Sequence, residues 1–178
     1  MGRTRAQRRK RWRGGMMGVS RNECLACDTG NLLLGEIEEI ADSPLKAEEK
    51  LQSVCNLLKE GVEHYDWVGF YLVDPESKRE LILGPFAGEH TEHTRIPFGK
   101  GICGQAAERK ETFVVQDVSA QDNYLSCSMH VKAEIVLPLF KDGEVVGELD
   151  IDSHSHAPFG EADKIFLENV CKVVSRII

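Results

Sequence analysis

The sequence predicts an α+β domain: a central antiparallel β-sheet with terminal helices packed on one face. Three observations predict it. Residues 133–152 alternate apolar and polar side chains on both sides of Lys141-Asp142-Gly143, the pattern of a β-hairpin. Residues 67–73 and 80–86 form a second pair of β-favouring runs, split by the turn Asp74-Pro75-Glu76-Ser77. Helical apolar stripes stand before the first strand pair and at the end of the chain. Strands flanked in this order by helices give an antiparallel sheet with helices on one side.

The elements follow in order. Residues 31–41 (NLLLGEIEEIA) predict a short helix, weakened by Gly35. Ser43-Pro44 carries the composition of a helix start, and the second helix should run to about His64. Leu51, Val54, Cys55, Leu58 and Val62 form its apolar stripe. Two strands come next, then the polar loop 89–94. Pro97-Phe98-Gly99-Lys100-Gly101 is a tight turn leading into a short helix, Cys103–Arg109. A strand over 112–118, a long loop over 119–130 and the hairpin follow. A last helix begins near Gly160, with Phe166, Val170, Val173, Val174 and Ile177 as its stripe.

A chain of 178 residues with 42% hydrophobic content suffices for one packed domain. Its charge is uneven. Residues 1–15 hold Arg3, Arg5, Arg8, Arg9, Lys10, Arg11 and Arg13 and no acid. The acidic remainder disfavours nucleic-acid binding by the folded body. Residues 1–29 therefore read as a basic, disordered extension, and 30–178 as the domain. The basic head is a polyanion-binding arm, a plain extension, or the product of an upstream start before Met16 or Met17. No apolar h-region follows it, so it is not a secretory signal, and no apolar run is long enough to span a membrane. Six cysteines without such a signal point to a reducing compartment, hence a cytoplasmic location.

The hairpin concentrates charge. With Lys141-Asp142-Gly143 as a three-residue loop, Ile135 faces Leu149, Leu137 faces Gly147 and Leu139 faces Val145. Glu134 then stands opposite Asp150, with Asp152 two residues on. A two-residue Asp142-Gly143 loop would slip the register by one and set Ile135 opposite Asp150, mixing the faces. The longer loop is therefore expected. An acid cluster costs like-charge repulsion and persists more easily around a bound cation. With Cys103 and Cys127 nearby, it suggests redox chemistry on a small molecule bearing an amine.

Each candidate has a plainer reading. Cys103 opens a helix, where the dipole favours a thiolate, and Cys127 lies in a polar loop beside Ser126, Ser128 and His130. Taken alone, either thiol reads more readily as inert. Cys55 and Cys171 fall on or beside apolar stripes and read as core. Cys24-Leu25-Ala26-Cys27 lacks both the second ligand pair of a zinc site and the βαβ context of a redox motif. His90, His93, His154 and His156 read as solvated loop residues. Trp67 and Tyr71 share one strand face with Gly69 between them: core packing, or an aromatic wall with room left by the glycine.

Several segments together closely resemble the free methionine-(R)-sulfoxide reductases, which are single GAF domains. These are Trp67-Val68-Gly69-Phe70-Tyr71-Leu72, Leu83-Gly84-Pro85-Phe86, Arg95-Ile96-Pro97-Phe98-Gly99-Lys100-Gly101-Ile102-Cys103-Gly104, Glu134-Ile135-Val136-Leu137-Pro138-Leu139 and Gly147-Glu148-Leu149-Asp150-Ile151-Asp152-Ser153. The resemblance implies a GAF-like fold and thiol-dependent reduction of free methionine-(R)-sulfoxide to methionine, a repair of oxidative damage. It implies Cys127 as nucleophile and Cys103 as a second functional cysteine. It implies Glu134, Asp150 and Asp152 as acids that bind substrate, and Trp67 and Tyr71 as aromatics that hold its methyl group. No cofactor or metal is implied. The expected partners are the free sulfoxide and thioredoxin or a similar thiol reductant, with a homodimer allowed.

Two positions depart from the family. His93 stands where a third cysteine usually pairs with the nucleophile, and Ser128 replaces an aspartate. The resolving thiol is then expected to be Cys103 or an external one. The alternative is a GAF module that binds a small amine and reports it without turnover.

Overall fold

The computed structural model describes residues 29–120 and 130–178. Among these, helix α1 (Thr29–Asp42) and helix α2 (Ala47–Gly61) precede strands β1 (Trp67–Val73), β2 (Glu80–Ala87) and β3 (Arg95–Pro97). Helix α3 (Gly101–Arg109), strand β4 (Phe113–Val115) and a 3₁₀ turn (Val118–Ala120) follow. The hairpin of β5 (Ala133–Lys141) and β6 (Glu144–Ser153) leads to helix α4 (Glu161–Val174). The strands form one sheet of order β3-β2-β1-β6-β5-β4, and every neighbouring pair is antiparallel. Strands β6 and β1, at the centre, carry hydrogen-bonded neighbours on both sides.

The two faces of the sheet have different partners. Val68, Phe70, Ile135, Leu137, Leu139, Leu149 and Ile151 pack against α1, α2 and α4 in a continuous apolar core. The terminal helices thus share one face, as the sequence predicts. On the other face, a smaller cluster gathers Trp67, Tyr71, Ile96, Ile102, Cys103 and Val136 beneath α3. Cys55 and Cys171 lie buried in the first core, where loss of hydration pushes both thiols up toward permanent protonation. Asp163 ties α4 to the segment that leads into β1. It accepts from the Gly160 amide at 2.9 Å, from Tyr65 Oη at 3.0 Å and from His64 Nε2 at 2.9 Å.

Local expectations were revised at two joints. Ser43-Pro44 does not start α2. Ser43 Oγ donates to the Ile40 carbonyl at 2.7 Å and so closes α1. The second helix begins four residues later, where Glu49 accepts the Lys46 amide at 3.0 Å. A hydroxyl committed to ending one helix cannot cap the next.

The hairpin register also differs. Asp142-Gly143 forms the two-residue turn, with both residues at positive φ (53° and 82°), as a type I′ turn requires. The pairing then jumps from Phe140↔Val145 to Leu139↔Gly147, leaving Val146 as the extra residue of a bulge. Beyond it, Ile135 faces Ile151, Leu137 faces Leu149 and Glu134 faces Asp152. Every partner is displaced by two residues from the expected register. Parity is unchanged, because the bulge restores what the shorter turn removes, and the two faces remain unmixed. Among the described residues, no helix is long and apolar enough to cross a membrane.

Candidate functional site

The second face of the sheet is organised by rows across three strands. Trp67 pairs with Asp152, which pairs with Glu134; Gly69 pairs with Asp150, which pairs with Val136; Tyr71 pairs with Glu148, which pairs with Pro138. Side chains on one face of a strand recur every second residue, and neighbouring strands lie about 4.8 Å apart. Glu148, Asp150 and Asp152 therefore line the middle of one face, with Glu134 on one side and two aromatics on the other. All four carboxylates are buried, Glu148, Asp150 and Asp152 at 0% exposure.

Burial sets the electrostatics. Loss of hydration is the main force raising all four pKa values. The negative charge of Asp150 adds to it at Glu134, Glu148 and Asp152. Asp150 itself is raised to about 7, while Cys103 nearby pulls the other way. Among the described residues, both carboxylate oxygens of Asp152 and Oδ1 of Asp150 have no hydrogen-bond partner, while the Cys103 thiol moderates the rise at Glu148. Buried carboxylates without donors are costly.

Helix α3 brings Cys103 onto this floor. Its Sγ lies 3.4 Å from Asp150 Oδ2 and 3.6 Å from Glu134 Oε1. Cys103, Glu134 and Asp150 come from three separate elements.

The aromatic wall differs from the simplest expectation. The space above Gly69 is filled by the protein itself: a Cβ there would stand 2.1 Å from the Trp67 ring. The indole lies across the glycine and stacks on Phe86, with ring centres 5.6 Å apart at 18°. It sits 6.4 Å from the Tyr71 ring. Both side chains also hold the loop that follows β2. Trp67 Nε1 donates to the Glu89 carbonyl at 3.0 Å, and Tyr71 Oη donates to the His93 carbonyl at 2.8 Å.

The structure thus brings together Trp67, Tyr71, Cys103, Glu134, Asp150 and Asp152. Cys127 lies outside the described residues, as do Ser128, the pair Cys24 and Cys27, and the basic head. The histidines do not converge on a metal centre: His90 packs edge-on to Phe86, while His154 meets Asp66 and His130. Sequence reasoning missed Glu148 and Phe86. Glu148 was legible in principle as the first of three acids in strict alternation with Asp150 and Asp152. Phe86 was not, because its contact with Trp67 depends on the pairing of Gly69 with Phe86.

The sequence pattern of the GAF domain family matches residues 46–178. The free methionine-R-sulfoxide reductase of Saccharomyces cerevisiae is 36% identical over 155 residues, covering 78% of this chain and 86% of that protein. GAF domain-containing protein A of Dictyostelium discoideum is 41% identical over 143 residues, covering 80% and 83%. Among solved structures, the free methionine-R-sulfoxide reductase of Neisseria meningitidis in complex with its substrate superposes with a TM-score of 0.78. It is 41% identical and covers 85% of this chain and 92% of its own.

Proposed function

The chain belongs to the GAF domain family, and we propose that it reduces free methionine-(R)-sulfoxide to methionine at the expense of a thiol. The observation that carries this reading is the buried row Glu134, Glu148, Asp150 and Asp152, in which both Asp152 oxygens and Asp150 Oδ1 have no hydrogen-bond partner among the described residues. Such a row calls for a cation, and the ammonium of a free amino acid supplies one with several donors. A charge-assisted hydrogen bond is worth about 1.5–3 kcal/mol. A residue within a peptide has no ammonium to offer and is excluded. The likeness to reductases of free methionine sulfoxide supports the same substrate.

Trp67 and Tyr71 pack against the S-methyl group, exclude water and select the R configuration at sulfur. Cys127 stands seven residues before Glu134 in the chain and acts as the nucleophile. Its sulfur attacks the sulfoxide sulfur and takes over the oxygen. The departing oxygen gains a proton from one acid of the row, whose raised pKa keeps it protonated near neutral pH. The sulfoxide sulfur is reduced by two electrons and methionine leaves. Cys127 is oxidised to a sulfenic acid, and the row recovers its proton from the attacking thiol. A second thiol then condenses with the sulfenic acid, releasing water and forming a disulfide. Cys103, already on the floor of the site, is one such thiol; an external dithiol of the thioredoxin type is the other and returns the enzyme to its reduced state. That requirement fits the cytoplasm.

The test is a dithiothreitol-coupled assay on free and peptide-linked sulfoxides. Turnover of the free R epimer alone, abolished by Cys127→Ser, is the expected result. Stoichiometric binding without turnover would overturn it and leave a non-enzymatic GAF module. Intact mass after one oxidation cycle then separates a Cys103–Cys127 disulfide from a sulfenic acid awaiting an external thiol.

A further inference from the structure

We propose that Cys103, Glu134 and Asp150 also form a binding site for a thiophilic divalent cation, with Zn²⁺ as its representative, and that the ion competes with the amine ligand for these carboxylates. Binding of the ion rests on geometry alone; the competition rests on the functional reading above. The three ligand atoms lie within 4.8 Å of one another and all three residues are buried. Their separations suit one ion. A tetrahedral Zn²⁺, with bonds of about 2.3 Å to sulfur and about 2.0 Å to oxygen, holds sulfur and oxygen about 3.5 Å apart. The observed Sγ–oxygen distances are 3.4 and 3.6 Å. Little movement is needed to admit the ion.

A second observation points to a cation. Asp152, fully buried on the same strand face as Asp150, holds both carboxylate oxygens without hydrogen-bond partners among the described residues, and Glu148 on that face is fully buried as well. Each stands two residues from Asp150 on β6. The sulfur ligand decides the class of ion: thiolate favours Zn²⁺ and related metals over Mg²⁺ or Ca²⁺, which prefer oxygen alone. On binding, the Cys103 thiol and whichever of Glu134 and Asp150 is protonated lose their protons to solvent, and the bonds to the metal replace the sulfur–hydrogen and oxygen–hydrogen bonds. No oxidation state changes. The ion favours the ionised form of the buried carboxylates, as an ammonium would.

Co²⁺ is the probe, because a thiolate ligand gives it a near-ultraviolet charge-transfer band. The full chain is used with Cys24→Ser and Cys27→Ser, so that the N-terminal pair cannot contribute. The reduced protein should develop the band with one equivalent of Co²⁺, and Zn²⁺ should displace it. Cys103→Ser should abolish the band and Cys127→Ser should leave it. Glu134→Gln should weaken binding at least about tenfold. No band, or a band that survives Cys103→Ser, overturns the site. If circular dichroism finds Cys103→Ser misfolded, Zn²⁺ protection of Cys103 from iodoacetamide in the unsubstituted thiol, mapped by peptide mass, decides instead; absence of protection overturns the site. In Cys127→Ser, where the sulfur cannot be oxidised by substrate, a Co²⁺ band that free methionine leaves unchanged overturns the competition, while metal-free turnover of the unsubstituted chain separately reports on the enzymatic reading.

Discussion

The two faces of the central sheet are made by the same strands and are equally buried, yet they do opposite things. On β6, Leu149 and Ile151 enter an apolar core while Glu148, Asp150 and Asp152 point the other way. On β1, Val68 and Phe70 join that core while Trp67 and Tyr71 join the acids. The helix-covered face gains stability from each side chain it removes from water. The acidic face loses stability from each carboxylate it buries without a donor. A protein can hold the second face together because the first is complete. Under the proposed function, a cationic ligand recovers that cost. Opposite responses to substitution and to pH follow.

The largest expected effect on stability is on the apolar face. Phe70→Ala should destabilise the fold by about 3–5 kcal/mol, read from urea unfolding, because the site is fully buried against helices that cannot collapse into the gap. On the acidic face, Asp150→Asn should reverse that pattern. Stability at pH 8 should hold or rise, since a buried charge is removed. Turnover of the free sulfoxide should fall about ten- to hundredfold in kcat/KM, the equivalent of about 1.5–3 kcal/mol for one charge-assisted bond. A loss of stability in Asp150→Asn equal to that in Phe70→Ala would erase the distinction between the faces.

A pH series sharpens it further. The four acids hold protons in the folded state that the unfolded chain releases, so their contribution is greatest below the ordinary carboxylate range. The share of Asp150 is lost as pH rises through about 7. The melting temperature of the ligand-free protein should therefore fall between pH 5 and pH 8. Asp163 has the opposite sign: its pKa is lowered, partly by the His64 contact, and its contribution disappears only in stronger acid. Free methionine, whose ammonium meets the ionised row, should recover part of the loss at pH 8. A flat profile would mean that the acids are solvated after all.

The smallest effect is at the aromatic edge. Tyr71→Phe removes the donor to the His93 carbonyl and should cost about 0.5–1.5 kcal/mol. It should raise KM more than it lowers kcat, because it loosens the loop beside the site without touching the acids. Equal stability and unchanged KM would show that the loop is held by other contacts.

Much of this was legible without coordinates, and the reason is local. Alternation along a strand is an intrinsic property of the backbone, so placing Glu134, Asp150 and Asp152 on one face needed only the parity of the hairpin. The stripes of α2 and α4 follow from helical periodicity in the same way. Errors entered wherever a residue had two possible uses. Ser43 has the composition of a helix cap and serves instead to end α1. A two-residue Asp142-Gly143 turn slips the register by one, and the bulge at Val146 adds a second residue that restores parity. Glu148 obeys the same alternation as its neighbours, but its full burial is a property of the assembled sheet.

Sequence alone determined the element order, the two chemical faces and the family resemblance, because each is carried by neighbours in the chain. Only the tertiary structure decided that Asp152 faces Glu134, that Trp67 lies over Gly69 against Phe86, and that Cys103 rests on Glu134 and Asp150. Those contacts join residues 18 to 47 positions apart, when they are not held within one strand. They exist because a bulge, a register and a packed helix bring separate segments within van der Waals reach, and no local preference encodes that distance.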